Sequence, residues 1–149
     1  MEMLARLKDK ARTVLRIASN QTVDDAICLM AGSKVSALIV TENDQPAGIF
    51  SERDVFHTYL TNKSTAFSEI NLENSMTRNF IVAETEDAVT AVMARMIKTD
   101  IKYLPVIEDK KIVGMLTIRD LMEHQIDSLT DEIHQLKDYI ADLHEAGQD

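Results

Sequence analysis

Two seven-residue segments concentrate the side chains that could do chemistry: Gly48-Ile49-Phe50-Ser51-Glu52-Arg53-Asp54 and Gly114-Met115-Leu116-Thr117-Ile118-Arg119-Asp120. Each ends an apolar, strand-like run with a hydroxyl, a guanidinium and a carboxylate. One use of the pattern is structural. Ser/Thr-x-x-Asp is a capping box, in which hydroxyl and carboxylate satisfy backbone N–H groups at a helix start. The other use is ligand binding. A helix start offers unpaired N–H groups and partial positive charge to a phosphate, and an Arg two residues on adds a charge-assisted hydrogen bond. The Asp repels phosphate, so it would face away and accept from ribose hydroxyls, as carboxylates do in dinucleotide folds. The two uses are compatible, because a ligand can replace a cap. The presence of two full copies favours binding.

The elements that position these segments recur as well. Residues 14–60 and 80–126 align without a gap: Val23 falls on Val89, Met30 on Met96, Leu38 on Leu104, Gly48 on Gly114, Arg53 on Arg119 and Asp54 on Asp120. A Gly and an Arg-Asp pair matching at one fixed offset mark an internal duplication. Each copy starts with a short extended piece, Val14–Ile17 or Phe80–Val82. A helix follows, with apolar residues at Val23, Ala26, Ile27 and Met30, or Val89, Val92, Met93 and Met96. Two β-rich runs come next, Val35–Val40 and Ala47–Phe50 in the first copy, Ile101–Ile107 and Ile112–Leu116 in the second. They are split by Glu-Asn-Asp-Gln-Pro and Glu-Asp-Lys-Lys. A second helix opens at Ser51 or Thr117. The order β-α-β-β-α predicts an α+β fold with two small sheets, each needing its partner to cover an apolar face. The expected organisation is a lead-in over 1–12, repeats over 13–60 and 80–121, a connector over 61–79, and an amphipathic helix over 122–146.

That terminal helix has its own pattern. Ile126, Leu129, Ile133, Leu136, Ile140 and Leu143 alternate spacings of three and four, with Ile at every a position and Leu at every d position of a heptad. This choice favours a parallel two-stranded coiled coil, in which Glu132 at g faces Lys137 at e of the partner. The alternative is a helix lying on its own domains. So short a coil is marginal alone and needs domains that already hold two chains together.

The bulk properties narrow the function. A net charge of −9 repels nucleic acid and anionic lipid surfaces, so a phosphate-bearing ligand must be met by a local basic pocket. The N-terminus is too interrupted by charge for a signal-peptide core, and no apolar run is long enough to span a bilayer. A single cysteine, Cys28, is expected to be packed in the first helix, and with the rest it points to a cytoplasmic protein. His57, His124, His134 and His144 read as surface residues without metal-ligand spacing. Neither a nucleophile with a base and orienter nor a glycine-rich phosphate loop is visible, so no enzyme, metal or catalytic cofactor is expected.

Over roughly residues 13–126 the chain resembles the CBS-domain family, named after cystathionine β-synthase, whose tandem pairs form Bateman modules. The resemblance rests on the Gly-h-h-Ser/Thr-x-Arg-Asp signature in both copies, on Leu104-Pro105-Val106-Ile107, and on Met76-Thr77-Arg78-Asn79 leading into the second copy. The first copy departs from the pattern, with Leu38-Ile39-Val40-Thr41 in a core strand. The resemblance implies two repeats around a pseudo-twofold axis with two symmetry-related clefts. One would combine Ser51, Arg53 and Asp54 with Phe80, Ile81, Ile101, Lys102 and Tyr103. The other would combine Thr117, Arg119 and Asp120 with Leu15, Val35 and Ser36. Leu15, Val35, Phe80 and Ile81 would sandwich an adenine, and Lys102 would add a phosphate contact or remain a solvated edge charge. The first cleft, with its aromatic residue and more basic groups, is expected to bind more tightly. The implied ligand is AMP, ADP or ATP, with S-adenosylmethionine or a nicotinamide dinucleotide also open. A homodimer acting on a regulated protein is expected. The alternative is a dimerisation adaptor with empty clefts that presents its terminal helix.

Overall fold

A computed structural model describes residues 2–147; Met1 of the expected lead-in lies outside them. The first repeat contains β1 (Arg16–Ala18), α1 (Val23–Ser33), β2 (Ala37–Glu42), β3 (Gln45–Ser51) and α2 (Glu52–Thr61). The second contains β4 (Ala83–Glu84), α3 (Val89–Thr99), β5 (Tyr103–Glu108), β6 (Lys111–Thr117) and α4 (Ile118–Ala146). Each repeat forms its own three-stranded sheet, β1-β2-β3 and β4-β5-β6, with a parallel outer pair and an antiparallel hairpin. The fold is therefore α+β with two β-α-β-β-α repeats and a long terminal helix.

The hairpins turn on two residues each. Asn43 and Asp44 (φ 52° and 61°) close the first, and Asp109 and Lys110 (φ 51° and 64°) the second. Paired left-handed residues give the turn whose twist matches its strands. The first strands start later than the apolar pattern indicated. Val14-Leu15 precede β1, and all of Phe80-Ile81-Val82 precedes β4; Val14 and Phe80 pack in the cluster between the two sheets.

The cores are completed by segments from outside the repeats. In the first repeat Val23, Ala26, Met30, Leu38, Val40 and Phe50 are joined by Ile70, Leu72 and Met76 of the connector. In the second, Val89, Val92, Met96, Leu104, Val106, Leu116 and Leu121 are joined by Leu4 and Leu7 of the 3-10 turn Leu4–Lys10. A three-stranded sheet with two helices leaves an apolar flank open, and each flank is closed by the chain just upstream of the other repeat. A third cluster lies between the sheets: Ile39, Ile49 and Met115 are buried, with Val14, Ala37, Phe80, Tyr103 and Ile112 packed against them.

Beyond Leu121 no side chain of α4 is buried among the described residues. The six seam positions from Ile126 to Leu143 are all exposed. The alternative in which this helix lies on its own domains is thereby corrected: its buried residues, Asp120 and Leu121, lie at its start, and its apolar stripe faces solvent. Cys28 is also exposed, because helical periodicity turns Val23, Ala26 and Met30 inward and Cys28 away. His57, His134 and His144 are exposed as expected. His124 is half-buried, with Nε2 2.8 Å from Glu2 Oε1, at ion-pair distance but without hydrogen-bond alignment.

Candidate functional site

The two signature segments fold the same way because they have the same local instructions. A strand ends, a hydroxyl residue in extended backbone caps a helix, and the Asp in the third helical position turns back onto the cap. Asp54 Oδ2 accepts from Ser51 N (2.9 Å) and Ser51 Oγ (3.2 Å). Asp120 Oδ2 accepts from Thr117 N (2.9 Å), and Thr117 Oγ1 accepts from Asp120 N (3.1 Å). The capping role is thus present in both copies.

Each carboxylate also receives a donor from a distant segment. Thr77 Oγ1 donates to Asp54 Oδ1 at 2.7 Å. The Arg12 guanidinium donates to both oxygens of Asp120, at 3.0 and 3.3 Å. These two donors are structural counterparts. Thr77 bridges to Ile49, and Arg12 bridges to Met115, the residue that occupies Ile49's place in the second repeat. The close approach needs glycine alongside. A Cβ on Gly48 would lie 2.9 Å from both Met76 Sδ and the Thr77 carbonyl, and one on Gly114 would lie 2.6 Å from Ala11 Cβ.

Two cavities open between the repeats. The first, of about 510 Å³, is lined by Ser51, Arg53, Asp54, Phe80, Ile101, Lys102 and Tyr103, together with Ile49, Glu52, Phe56, Thr77, Asn79 and Asp100. The second, of about 1020 Å³, is lined by Val35, Ser36, Thr117 and Arg119, and also by Arg12, Thr13, Val14, Lys34, Ala37 and Met115. Lys102 and Tyr103 line both, and Tyr103 Oη donates to Ser36 Oγ at 3.2 Å across the divide. The residues grouped for the first cleft therefore come together, except Ile81, which packs on the core of the second repeat. Those grouped for the second also meet, except Leu15 and Asp120. Leu15 packs on the first core and leaves the cavity wall to its neighbour Val14. Asp120 is buried beneath Arg12, off the cavity surface.

One expectation about charge is reversed. The first cavity sets Arg53 and Lys102 against Glu52, Asp54 and Asp100. The second sets Arg12, Lys34, Lys102 and Arg119 against Glu52 alone. The basic cleft is the second one. Residue matching missed this because Arg12 lies just outside the repeat boundary and because Lys34 and Asp100 had no motif to mark them. The alignment does place Lys34 and Asp100 at equivalent positions, which was a usable signal. Among the described residues no group of three or more His, Cys, Asp or Glu is arranged to hold a metal, and no helix is long and apolar enough to cross a membrane.

Comparison with known proteins agrees with this architecture. The CBS domain family model matches the chain twice, over residues 10–60 and 68–127. The chain is 31% identical over 129 residues to the Arabidopsis thaliana CBS domain-containing protein CBSX3, mitochondrial, a match covering 82% of this chain and 61% of that protein. It is 27% identical over 110 residues to a homoserine O-acetyltransferase of Methanohalobium evestigatum, covering 72% of this chain and 21% of that one. The chain thus spans less than two thirds of either relative. A protein with CBS domains from Burkholderia ambifaria superposes with a TM-score of 0.74 at 29% identity, over 84% of this chain and 94% of that one. The CBS domain pair of protein MJ0100, crystallised with 5′-methylthioadenosine and S-adenosyl-L-methionine, superposes with a TM-score of 0.70 at 23% identity, over 86% and 98%, a likeness of fold. Two signature helices, two sheets joined by a shared central cluster, and a family match to each half together establish that this chain belongs to the CBS-domain family, as a tandem pair.

Proposed function

We propose that the chain is a non-catalytic regulatory module that holds adenosine-containing ligands in its two inter-repeat cavities, with an adenine nucleotide (AMP, ADP or ATP) in at least the larger. The observation that carries the adenosine reading is the placement of Asp54 in the smaller cavity, and the basic lining of the larger cavity supports the phosphate part. The Asp54 carboxylate sits at a helix start on the wall of a cavity that also presents Phe80 and Tyr103. A carboxylate offers about four acceptor sites, and the Ser51 and Thr77 bonds leave room on Oδ1 for a ribose hydroxyl. That the MJ0100 pair is crystallised with two adenosine compounds supports the ligand class. The exposed thiol of Cys28 fits a reducing compartment such as the cytoplasm.

The signal would pass through a homodimer. The occupant of the α4 seam in this reading is a second copy, because the heptad is self-complementary and Glu132 meets Lys137 in a parallel pair. Exposed Phe56 and Leu60 on α2, and Met122 and Ile126 at the equivalent positions of α4, extend the apolar surface toward the domains. A ligand can shift such an assembly, and a protein partner reading it, only by its difference in affinity for two arrangements.

Thermal shift of the purified protein against AMP, ADP, ATP, adenosine and S-adenosylmethionine tests the ligand class. Native mass spectrometry for a co-purified compound tests it independently. A sensor gains stability with ligand concentration. A flat response to every compound leaves the second reading, an adaptor scaffold, which the solvent-facing seam of α4 favours.

A further inference from the structure

The two cavities are built from equivalent positions yet differ in charge at the places that matter most to a ligand's tail. Helix α1 ends on Lys34 and α3 on Asp100, both in the left-handed conformation (φ 56° and 55°) that closes a helix. These caps occupy the same place in the duplicated pattern, and each lies on a cavity wall: Lys34 on the larger, Asp100 on the smaller. Asp100 neutralises the signature guanidinium of its own cavity, with Arg53 Nη1 3.2 Å from Asp100 Oδ2. Arg119, the counterpart of Arg53, pairs instead with Glu123 on its own helix, a residue off the cavity wall. The second difference lies at the strand lead-in, where the larger cavity has the Arg12 guanidinium and the smaller has the neutral Thr77 hydroxyl.

The geometry points to a division of labour: the larger cavity takes a phosphate-bearing adenine nucleotide, and the smaller takes an adenosine compound without phosphate, neutral or cationic. This rests on the adenosine reading above. In the larger cavity Arg12, Lys34, Lys102 and Arg119 meet the phosphates, and Glu52 is the one opposing carboxylate. Arg12 has a further part there. It pairs with Asp120, and a phosphate that draws the guanidinium away uncovers that carboxylate for ribose. In the smaller cavity Asp54, Asp100 and Glu52 outnumber Arg53 and Lys102, so a polyphosphate meets net repulsion and a sulfonium meets attraction.

Calorimetry with the full chain tests the assignment, using ADP, inorganic pyrophosphate and S-adenosylmethionine as separate probes on the native protein and on Lys34→Asp and Asp100→Lys. Each substitution places a residue whose counterpart already adopts that backbone conformation, so both variants are expected to fold, which circular dichroism checks. The native protein is expected to take one ADP per chain. Lys34→Asp should weaken ADP and pyrophosphate by roughly ten- to a hundredfold, the scale of one charged hydrogen bond plus added repulsion, and leave S-adenosylmethionine unmoved. Asp100→Lys should create a second ADP site and weaken S-adenosylmethionine. Equal ADP affinity in both native cavities, or ADP binding indifferent to both variants, overturns the division of labour. Pyrophosphate binding that responds to Lys34→Asp, with no binding of either adenosine compound, sinks the nucleoside reading while the charge assignment stands.

Discussion

Truncating Ile133 to alanine tests whether α4 joins two chains. Ile133 occupies the central a position of the seam and is 52% exposed in the single chain. Full burial of such a side chain is worth about 1.5–3 kcal/mol, so covering the exposed half contributes roughly 0.8–1.5 kcal/mol per chain. A symmetric dimer loses this twice, about 1.5–3 kcal/mol, which is roughly a 10- to 150-fold rise in Kd. The monomer should be unaffected, because Ile133 touches no core and alanine favours the helix at least as well. Sedimentation equilibrium over a wide protein concentration range reads the change directly. A dimer with an unmoved Kd would refute the assignment of α4 as the interface. A monomeric native protein at every concentration would refute the second-copy proposal altogether.

Three further outcomes follow from the geometry. Asp54→Ala removes a helix cap and the neutral Thr77 hydrogen bond and should cost about 1–2 kcal/mol of unfolding free energy, whereas Asp120→Ala removes a cap and the charged Arg12 contact at a buried site and should cost about 1.5–3 kcal/mol; urea denaturation distinguishes them. Equal losses would mean that the Arg12 contact contributes no more than the Thr77 hydrogen bond. Gly114→Ala drives a methyl group into Ala11 and should loosen the N-terminal segment from the second repeat, seen as faster amide exchange at residues 4 to 12 with the first repeat unchanged. Leu7→Ala should lower stability by about 2–5 kcal/mol despite its place outside both repeats, since Leu7 is fully buried in the second core; a loss under about 0.5 kcal/mol in denaturant unfolding would show that the segment is not part of that core.

Much of this architecture is written in local patterns. The helices α1 and α3 show their inward faces every three to four residues, the hairpins show their turns, and Ser51-x-x-Asp54 and Thr117-x-x-Asp120 state the caps that the structure contains. The family resemblance carried by the duplicated signature grouped Ser51, Arg53, Asp54, Phe80, Ile101, Lys102 and Tyr103 in one cleft, and all seven line one cavity. The heptad from Ile126 to Leu143 identified an apolar stripe, though not that it would be left open to solvent.

What the amino-acid order settles unaided is therefore whatever depends on neighbours within a turn or a hairpin: the repeat, the element types, the caps and the stripe. Packing alone decides that Leu4 and Leu7 close the second repeat while Ile70, Leu72 and Met76 close the first, that Leu15 and Ile81 go to the cores, and that Arg12 reaches Asp120 from the far end of the chain. These pairings depend on which open flank each passing segment meets, and no periodicity encodes that. The same holds for charge. Lys34 and Asp100 are ordinary helix ends in one dimension, and only the crossing of two sheets turns them into opposite walls of two different sites.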